Sequence, residues 1–161
     1  MKTDLLKDKR ILVVDDERDV LEVIEELLPM GEIVMASNFE EGKDILENQD
    51  IDLAILDIMG VEGYKLLEIA NKKEVIAVML TAHALSPENV AKSFKEGAAY
   101  YVPKEKMSEI VTYLNDVLEA KETGAITWKT WMDRFVFYFN EKFGPNWQDE
   151  DEEFWKNEKF L

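Results

Sequence analysis

RILVVDDERD occupies residues 10–19 and joins an aliphatic run to an acidic cluster. Residues 11–14 are all aliphatic, and Asp15, Asp16 and Glu17 follow them without a break. Close carboxylates repel one another, and removal from water strengthens the repulsion. The stretch therefore predicts a buried strand that ends either in a solvated acidic cluster or at a bound positive charge.

The length and composition favour one globular domain with an appendage. The chain has 161 residues, of which 47% are hydrophobic, and no apolar run approaches the ~20 residues of a membrane-spanning helix. The first ten residues, MKTDLLKDKR, lack the apolar core of a secretory signal. The chain has no cysteine, which excludes disulfides and thiolate metal sites. We therefore expect a cytoplasmic protein.

The formal net charge of -16 narrows the range of partners. Nucleic-acid binding needs a positive face that neutralises phosphates, and the sequence shows no basic stripe. Attraction to anionic lipid needs basic clusters for the same reason. We expect neither nucleic acid nor membrane as a partner. Cations, small molecules and proteins remain.

Short apolar runs alternate with segments of helical periodicity. The predicted strands cover 11–14, 32–36, 52–56, 75–80 and 100–102, and the predicted helices cover 17–28, 38–47, 62–71, 86–96 and 106–121. Strands that alternate with helices form a mainly parallel sheet with helices on both faces. Right-handed crossovers make such a fold doubly wound. The sequence therefore predicts an α/β domain with five strands.

Polar side chains stand at the carboxyl ends of four predicted strands. They are the acidic pair after strand one, Asp57 at strand three, Thr81 at strand four and Lys104 after strand five. Ligands of doubly wound sheets bind at this edge. We therefore expect three carboxylates, one hydroxyl and one ammonium to converge there.

Three carboxylates with few other ligands suit Mg²⁺, which keeps several waters in protein sites. The cation would offset the repulsion between Asp15, Asp16 and Asp57. A carboxylate such as Asp57 can attack phosphorus and form an aspartyl phosphate. Lys104 would then offset the charge of the transferring group.

The motifs VVDDE, LAILDIM, LTAHA and GAAYYVPK resemble, in that order, the receiver domain of two-component response regulators. The resemblance covers roughly residues 8–121. It implies a flavodoxin-like sheet of strand order 2-1-3-4-5. It also implies phosphoryl transfer to Asp57 from a histidine kinase or phosphotransfer protein, with Mg²⁺ required.

The resemblance also implies residue roles. Asp16 would bind the metal directly, Asp15 mainly through water, and the Met59 backbone carbonyl would complete the site. Thr81 and Tyr101 would form the switch pair that reports phosphorylation. Tyr100 and Tyr101 alternate faces along the strand, and the spacing to Lys104 favours Tyr101 as the switch residue and Tyr100 as the packed one.

Two features depart from the family pattern. The loop DIMGVEG is about two residues shorter than the loop that usually follows the phosphoacceptor. Lys104 is followed by Glu105, where the family usually has a proline. These departures bear on kinase docking, on the lifetime of the phosphoryl group and on the aim of Lys104.

Residues 122–161 form a second unit, an extension of the 1–121 receiver, and contain all four tryptophans. A helix is expected from Thr127 to the stop signal Gly144-Pro145. Its predicted apolar face comprises Trp128, Trp131, Met132, Phe135, Val136, Phe139 and Phe143, widened by Phe137 and Tyr138. An acidic segment at 146–160 adds Trp147, Phe154 and Trp155. The face could pack on its own receiver, on a second chain in a homodimer, or on a regulated partner.

Our leading interpretation is a phosphoacceptor that signals through protein–protein contacts to an unknown downstream protein. It is not an enzyme acting on a separate substrate. The alternatives are a Mg²⁺-dependent phosphohydrolase with an aspartyl nucleophile and a phosphorylation-independent interaction module. Met59 stands where phosphohydrolases of the haloacid dehalogenase type carry a second aspartate, which counts against the first alternative. His83, the single histidine, is expected to be exposed rather than catalytic.

Overall fold

The computed structural model describes residues 4–82, 85–124 and 127–148, without the side chains of Thr127 and Trp128. The expectation for His83 lies outside these residues, as do the predicted roles of Phe154 and Trp155 and most of the 146–160 segment. Among the helices of the described residues, none has the length and apolarity needed to cross a membrane.

Five parallel strands form one sheet of order β2-β1-β3-β4-β5, as expected. The strands are β1 Arg10–Val14, β2 Glu32–Ala36, β3 Leu53–Asp57, β4 Ile76–Thr81 and β5 Tyr100–Pro103. Each lies within one residue of its prediction. Every residue of β3 is buried, because helices cover both faces of the sheet.

Within the described residues, six α-helices surround the sheet. They are α1 Arg18–Leu27, α2 Phe39–Asn48, α3 Gly63–Lys72, α4 Pro87–Lys95, α5 Ile110–Thr123 and α6 Thr127–Phe143. Side-chain caps fix two of the starts: Asn38 accepts a hydrogen bond from the Glu41 amide at 2.9 Å, and Ser86 accepts one from the Asn89 amide at 3.1 Å. The first four helices begin and end within one residue of their predictions.

The predicted start of the fifth helix, at residue 106, is wrong. A 3₁₀ helix occupies Lys104–Glu109, and α5 begins at Ile110. The 3₁₀ segment has no buried residue, whereas Ile110 is fully buried. An α-helix in a protein gains most of its stability from a packed face, and that face begins only at Ile110.

Helix α6 packs on its own chain, against α4, β5 and α5. Trp131, Phe135 and Phe139 are buried with at most 2% of their surface exposed. These residues are four apart and share one face of the helix. Phe137 is 81% exposed, so its predicted place on this face is wrong. It is two residues from Phe135, which turns its side chain about 200° away.

Candidate functional site

The carboxyl edge of the sheet brings the predicted polar side chains together. Asp57 and Thr81 are the last residues of β3 and β4, while Asp15 and Lys104 directly follow β1 and β5. Asp15 is fully buried, and Asp57 and Thr81 are 5% and 1% exposed. The side chain of Lys104 is 9% exposed. A buried ammonium therefore lies among buried carboxylates.

Lys104 contacts three carboxylates, and its nearest partner is Asp15. Its Nζ lies 2.9 Å from Asp15 Oδ2, 3.3 Å from Glu17 Oε1 and 3.5 Å from Asp57 Oδ1. Part of the positive charge that the acidic cluster requires thus comes from this ammonium. Glu17 received no role from the sequence, although it stands directly after the acidic pair.

Burial changes the protonation of the two buried acids. Burial and, after it, the negative charge of Asp15 raise the pKa of Asp57 to about 7, although Lys104 opposes both effects. Burial also raises the pKa of Asp15, against the hydrogen bond that Asp15 accepts from the Glu17 amide at 2.8 Å and against Lys104. Both carboxyls are therefore harder to ionise than in water.

The same cluster keeps Lys104 charged. Burial alone lowers the pKa of a lysine, but the hydrogen bond and charge of Asp15, with the charges of Asp57 and Glu17, outweigh it, so the pKa of Lys104 is raised. A stably protonated ammonium is suited to pairing with an anionic group that arrives at Asp57.

The donor set fits a hard divalent cation. Carboxylate oxygens of Asp15, Asp16 and Glu17 lie within 4.8 Å of one another, and carboxylate oxygen is the ligand that Mg²⁺ prefers. Asp57 contacts the same ammonium as Asp15. The predicted acids are thus neighbours, and Glu17 extends the predicted set.

The short loop after Asp57 lies tightly against this cluster. Gly60 has φ +83°, and a Cβ built on it would lie 2.6 Å from Asp16 Oδ2. The peptide that carries the Met59 carbonyl leads into Gly60, so the predicted carbonyl ligand belongs to the segment that approaches Asp16. Gly63 is packed more tightly still, because a Cβ built on it would lie 2.2 Å from the Asp57 carbonyl oxygen.

We expect Gly60→Ala to weaken Mg²⁺ binding by roughly tenfold, the range seen when residues that support metal ligands are changed. The added methyl would push the Asp16 carboxylate away. Isothermal titration with MgCl₂ measures the effect. Gly144→Ala is the matched control, because Gly144 has φ +86° and no atom within 4 Å of a built Cβ. Equal affinities for the two variants would show that the Asp16 contact does not matter.

The predicted switch residues are both buried. Tyr101 is fully enclosed, with Trp131 and Phe139 rings at centroid distances of 6.5 Å and 6.2 Å. Burial raises the pKa of Tyr101, and a hydrogen bond from the Ser86 backbone amide lowers it less. Ser86 caps α4, so Tyr101 links β5 to the start of that helix. The switch role itself stays a prediction.

Tyr100 is packed on the other side, as expected. Its hydroxyl donates to Asp116 Oδ2 at 3.0 Å, and Arg134 from α6 pairs with the same carboxylate, with Nη2 at 3.0 Å from Oδ1. This network ties α6 to α5 and to β5.

The fold and the site define a doubly wound α/β domain with acids and a lysine at the carboxyl edge of its sheet. Residues 11–115 match the family described as the response regulator receiver domain. The chain belongs to that family. Receiver domains generally bind Mg²⁺ in an acidic pocket, and the family is one of signalling phosphoacceptors.

Individual relatives agree with this membership. The heme response regulator HssR of Staphylococcus epidermidis is 31% identical over 122 residues, which cover 71% of this chain and 53% of the relative. The transcriptional regulatory protein CpxR of Escherichia coli is 34% identical over 102 residues, covering 59% of this chain and 42% of the relative. The chain thus spans about half the length of these relatives.

Solved structures give the same fold. A CheY-like receiver domain protein from Methanospirillum hungatei is 28% identical, with a TM-score of 0.66, and the match covers 74% of this chain and 100% of that chain.

One relative does not fit directly with the expectation of no nucleic-acid partner, because CpxR is a transcriptional regulatory protein. That expectation stays a prediction, based on the net charge of -16.

Proposed function

We propose that this chain is a phosphoacceptor of a two-component system, which receives a phosphoryl group on Asp57 from a histidine kinase or phosphotransfer protein. The observation that carries the proposal is the pair formed by a buried carboxylate and a buried ammonium, with Lys104 Nζ 3.5 Å from Asp57 Oδ1. Asp15, Asp16 and the sequence LTAHA around Thr81 complete the pattern of the family.

In the proposed reaction, an oxygen of the Asp57 carboxylate attacks the phosphorus of a donor phosphohistidine. The new O–P bond forms as the P–N bond breaks, and the imidazole leaves with the electron pair. The Asp57 carboxyl must be ionised to attack, and its pKa is raised to about 7 in the metal-free protein, so a cation bound beside it would favour the reactive form.

The remaining side chains stabilise the transferring group. Lys104 pairs with the negative charge on the phosphoryl oxygens, and the Thr81 hydroxyl donates a hydrogen bond to one of them. Asp15, Asp16, Asp57 and the Met59 carbonyl would hold Mg²⁺, with Glu17 beside them. When bound, the cation neutralises charge on the carboxylates and on the phosphoryl oxygens.

In this proposal the output is a protein–protein contact in the cytoplasm, made by the 1–121 receiver together with the 122–161 extension. The absence of cysteine supports a reducing compartment. The chain acts on itself rather than on a separate substrate. Met59 counts against a phosphohydrolase. It stands where such an enzyme would carry a second acid, and its side chain has no carboxylate.

Intact mass after incubation with acetyl phosphate and Mg²⁺ tests the proposal. We expect one phosphoryl adduct in the wild type, none without Mg²⁺ and none in Asp57→Asn. Asp50→Asn is the matched control at an exposed aspartate and should react like the wild type. An adduct that persists in Asp57→Asn contradicts the assignment. Turnover of p-nitrophenyl phosphate would instead support the phosphohydrolase.

A further inference from the structure

The segment that carries Lys104 has little anchorage of its own. Lys104 begins the 3₁₀ helix Lys104–Glu109, in which no residue is buried as a whole and Met107 packs, half-buried, against the core. The Lys104 side chain nevertheless occupies a fixed place, with 9% of its surface exposed. A lysine has four rotatable side-chain bonds and loses much conformational freedom when it is held in this way. Neighbouring elements must therefore supply the support.

Helix α6 contacts this segment directly after Lys104. The Tyr138 hydroxyl donates a hydrogen bond to Glu105 Oε1, and Lys142 Nζ lies 3.2 Å from the same oxygen. Lys106 Nζ lies 5.4 Å from the centroid of the Tyr138 ring. Two consecutive residues of the 3₁₀ helix are thus held from α6.

Helix α6 also contacts the chain just before Lys104. Trp131 Nε1 donates to the Tyr101 carbonyl at 2.6 Å. The Tyr101 ring lies between β5 and the aromatic face of α6, 6.2 Å from Phe139. Helix α6 therefore contacts the chain on both sides of Lys104 in sequence: β5 before it and the 3₁₀ helix after it.

The two partners of Glu105 differ in strength. Lys142 and Glu105 are 46% and 53% exposed, and such surface ion pairs contribute little. The Tyr138 ring, in contrast, packs edge-on against Phe139 at 5.1 Å. Its hydroxyl is therefore held in place by the apolar face of α6. Tyr138 is the firmer of the two contacts.

Pairing with α6 also removes a competitor for Lys104. Glu105 adjoins Lys104 in sequence, and bonds from Tyr138 and Lys142 lower the pKa of Glu105, so it stays ionised. A released carboxylate at this position could draw the Lys104 ammonium out of the site. Held by α6, Glu105 leaves Lys104 to Asp15 and Asp57.

We propose that α6 positions Lys104 for phosphoryl transfer, with Tyr138 and Glu105 as positioning residues. The inference rests on the proposed function and extends it, because it gives the extension a part in the chemistry of the receiver. It also accounts for Glu105, the residue that departs from the family pattern after the lysine. Glu105 is the point at which α6 holds the site.

The test compares phosphorylation rates of two double variants. Tyr138→Phe/Lys142→Met removes both partners of Glu105 and keeps the Tyr138 ring. Tyr113→Phe/Lys129→Met makes the same chemical changes elsewhere. Tyr113 donates from α5 to Glu109, the last residue of the 3₁₀ helix, at 3.4 Å, so this control perturbs the same segment away from Glu105, and Lys129 is exposed on α6. Rates are taken from the growth of the acetyl phosphate adduct at saturating Mg²⁺, and Mg²⁺ affinity is taken from titration.

We expect the first variant to react about tenfold more slowly, a smaller loss than the ~100-fold that a misplacement of about 1 Å can cause, with unchanged Mg²⁺ affinity. The control should match the wild type in both quantities. In a Lys104→Met background the difference between the variants should vanish, because residues that act through one group are not additive. Loss of fold alone would not give this pattern.

Three results would overturn the inference. An unchanged rate in Tyr138→Phe/Lys142→Met would show that α6 does not position Lys104. A tenfold loss that persists in the Lys104→Met background would place the effect elsewhere. A wild type that binds Mg²⁺ and forms no adduct would overturn the proposed function, and this inference with it, whereas the first two results leave the proposed function intact.

Discussion

Trp131→Ala is expected to lower the free energy of unfolding by about 3–5 kcal/mol, the usual cost of removing a large buried aromatic side chain. Trp131 is fully buried, and its ring lies 5.1 Å from Phe94 in an edge-to-face contact and 5.6 Å from Phe135. These contacts join α4 to α6. Its truncation would leave a cavity that Phe135 cannot fill, since that ring is also packed against Tyr113 and Phe139.

Urea denaturation followed by far-UV circular dichroism measures this loss independently of tryptophan fluorescence. Phe137→Ala on the same helix is the matched control, and because Phe137 is 81% exposed we expect a change within about 0.5 kcal/mol. Equal losses for the two variants would mean that α6 does not pack as described.

Trp131→Phe separates packing from hydrogen bonding at the same position. The phenyl ring retains much of the apolar contact but cannot donate to the Tyr101 carbonyl, which accepts from Trp131 Nε1 at 2.6 Å. Loss of one partner of a buried hydrogen bond costs about 1–3 kcal/mol. This variant should therefore lie between the wild type and Trp131→Ala.

The sheet was predictable because buried parallel strands leave a strong mark on sequence. A strand covered on both faces must be apolar at every position, as in ILVV at residues 11–14. Asp57 and Thr81 were placed correctly at the sheet edge for the same reason. Each is the first polar residue after an aliphatic run, so it marks the end of its strand.

The packing of α6 could not be predicted from the sequence. Helical periodicity shows that a helix has an apolar face, but it does not show which surface covers that face. The spacing of Trp131, Phe135 and Phe139 was compatible with packing on the receiver, on a second chain or on another protein. In the structure α6 packs on its own chain, and side-chain contacts that no sequence pattern reveals hold it there. Examples are the pair of Arg134 with Asp116 and the hydrogen bond from Trp131 to the Tyr101 carbonyl. Phe137 was misplaced because a run of aromatic residues hides the helical period.

The partners of Lys104 were predicted in part. Parallel strands bring Lys104 and Asp57 to one edge, but a long side chain can reach any of several carboxylates there. Its closest contact is Asp15 rather than Asp57, and Glu17 is nearer than Asp57 as well. Distances of this kind depend on side-chain rotamers and on the short DIMGVEG loop, which the sequence pattern does not determine.

Asp57→Asn is expected to stabilise the Mg²⁺-free protein at pH 8 by roughly 2 kcal/mol. The pKa of Asp57 is raised from 3.8 to about 7 by burial and by the charge of Asp15. About three pKa units correspond to about 4 kcal/mol at most. The shift already includes the attraction to Lys104, and an asparagine amide buried at this site keeps a desolvation cost of its own, which reduces the gain. Asparagine keeps the shape of the side chain and removes the buried charge.

The pH dependence follows from the direction of the shift. Between about pH 4 and pH 7 the folded wild type retains a proton on Asp57 that the unfolded chain releases. The contribution of Asp57 to stability therefore falls as pH rises through this window, and the full penalty is present above pH 7. The advantage of Asp57→Asn should accordingly be smaller at pH 5 and largest at pH 8.

Urea denaturation in EDTA at pH 5 and pH 8 measures this difference, and Asp50→Asn, at an exposed site, serves as the control. Asp15 also has a raised pKa and its charge acts on Asp57, so the difference between the two proteins reports the coupled pair of carboxyls rather than Asp57 alone. With Mg²⁺ added, the wild type should gain more stability than the variant, because the Asp57 carboxylate, which the variant lacks, would then bind the cation. An Asp57→Asn protein that is less stable than the wild type at pH 8 in EDTA would mean that Lys104 already compensates the buried charge. In that case the acidic cluster would be a preformed ion-pair network rather than a strained site relieved by the metal.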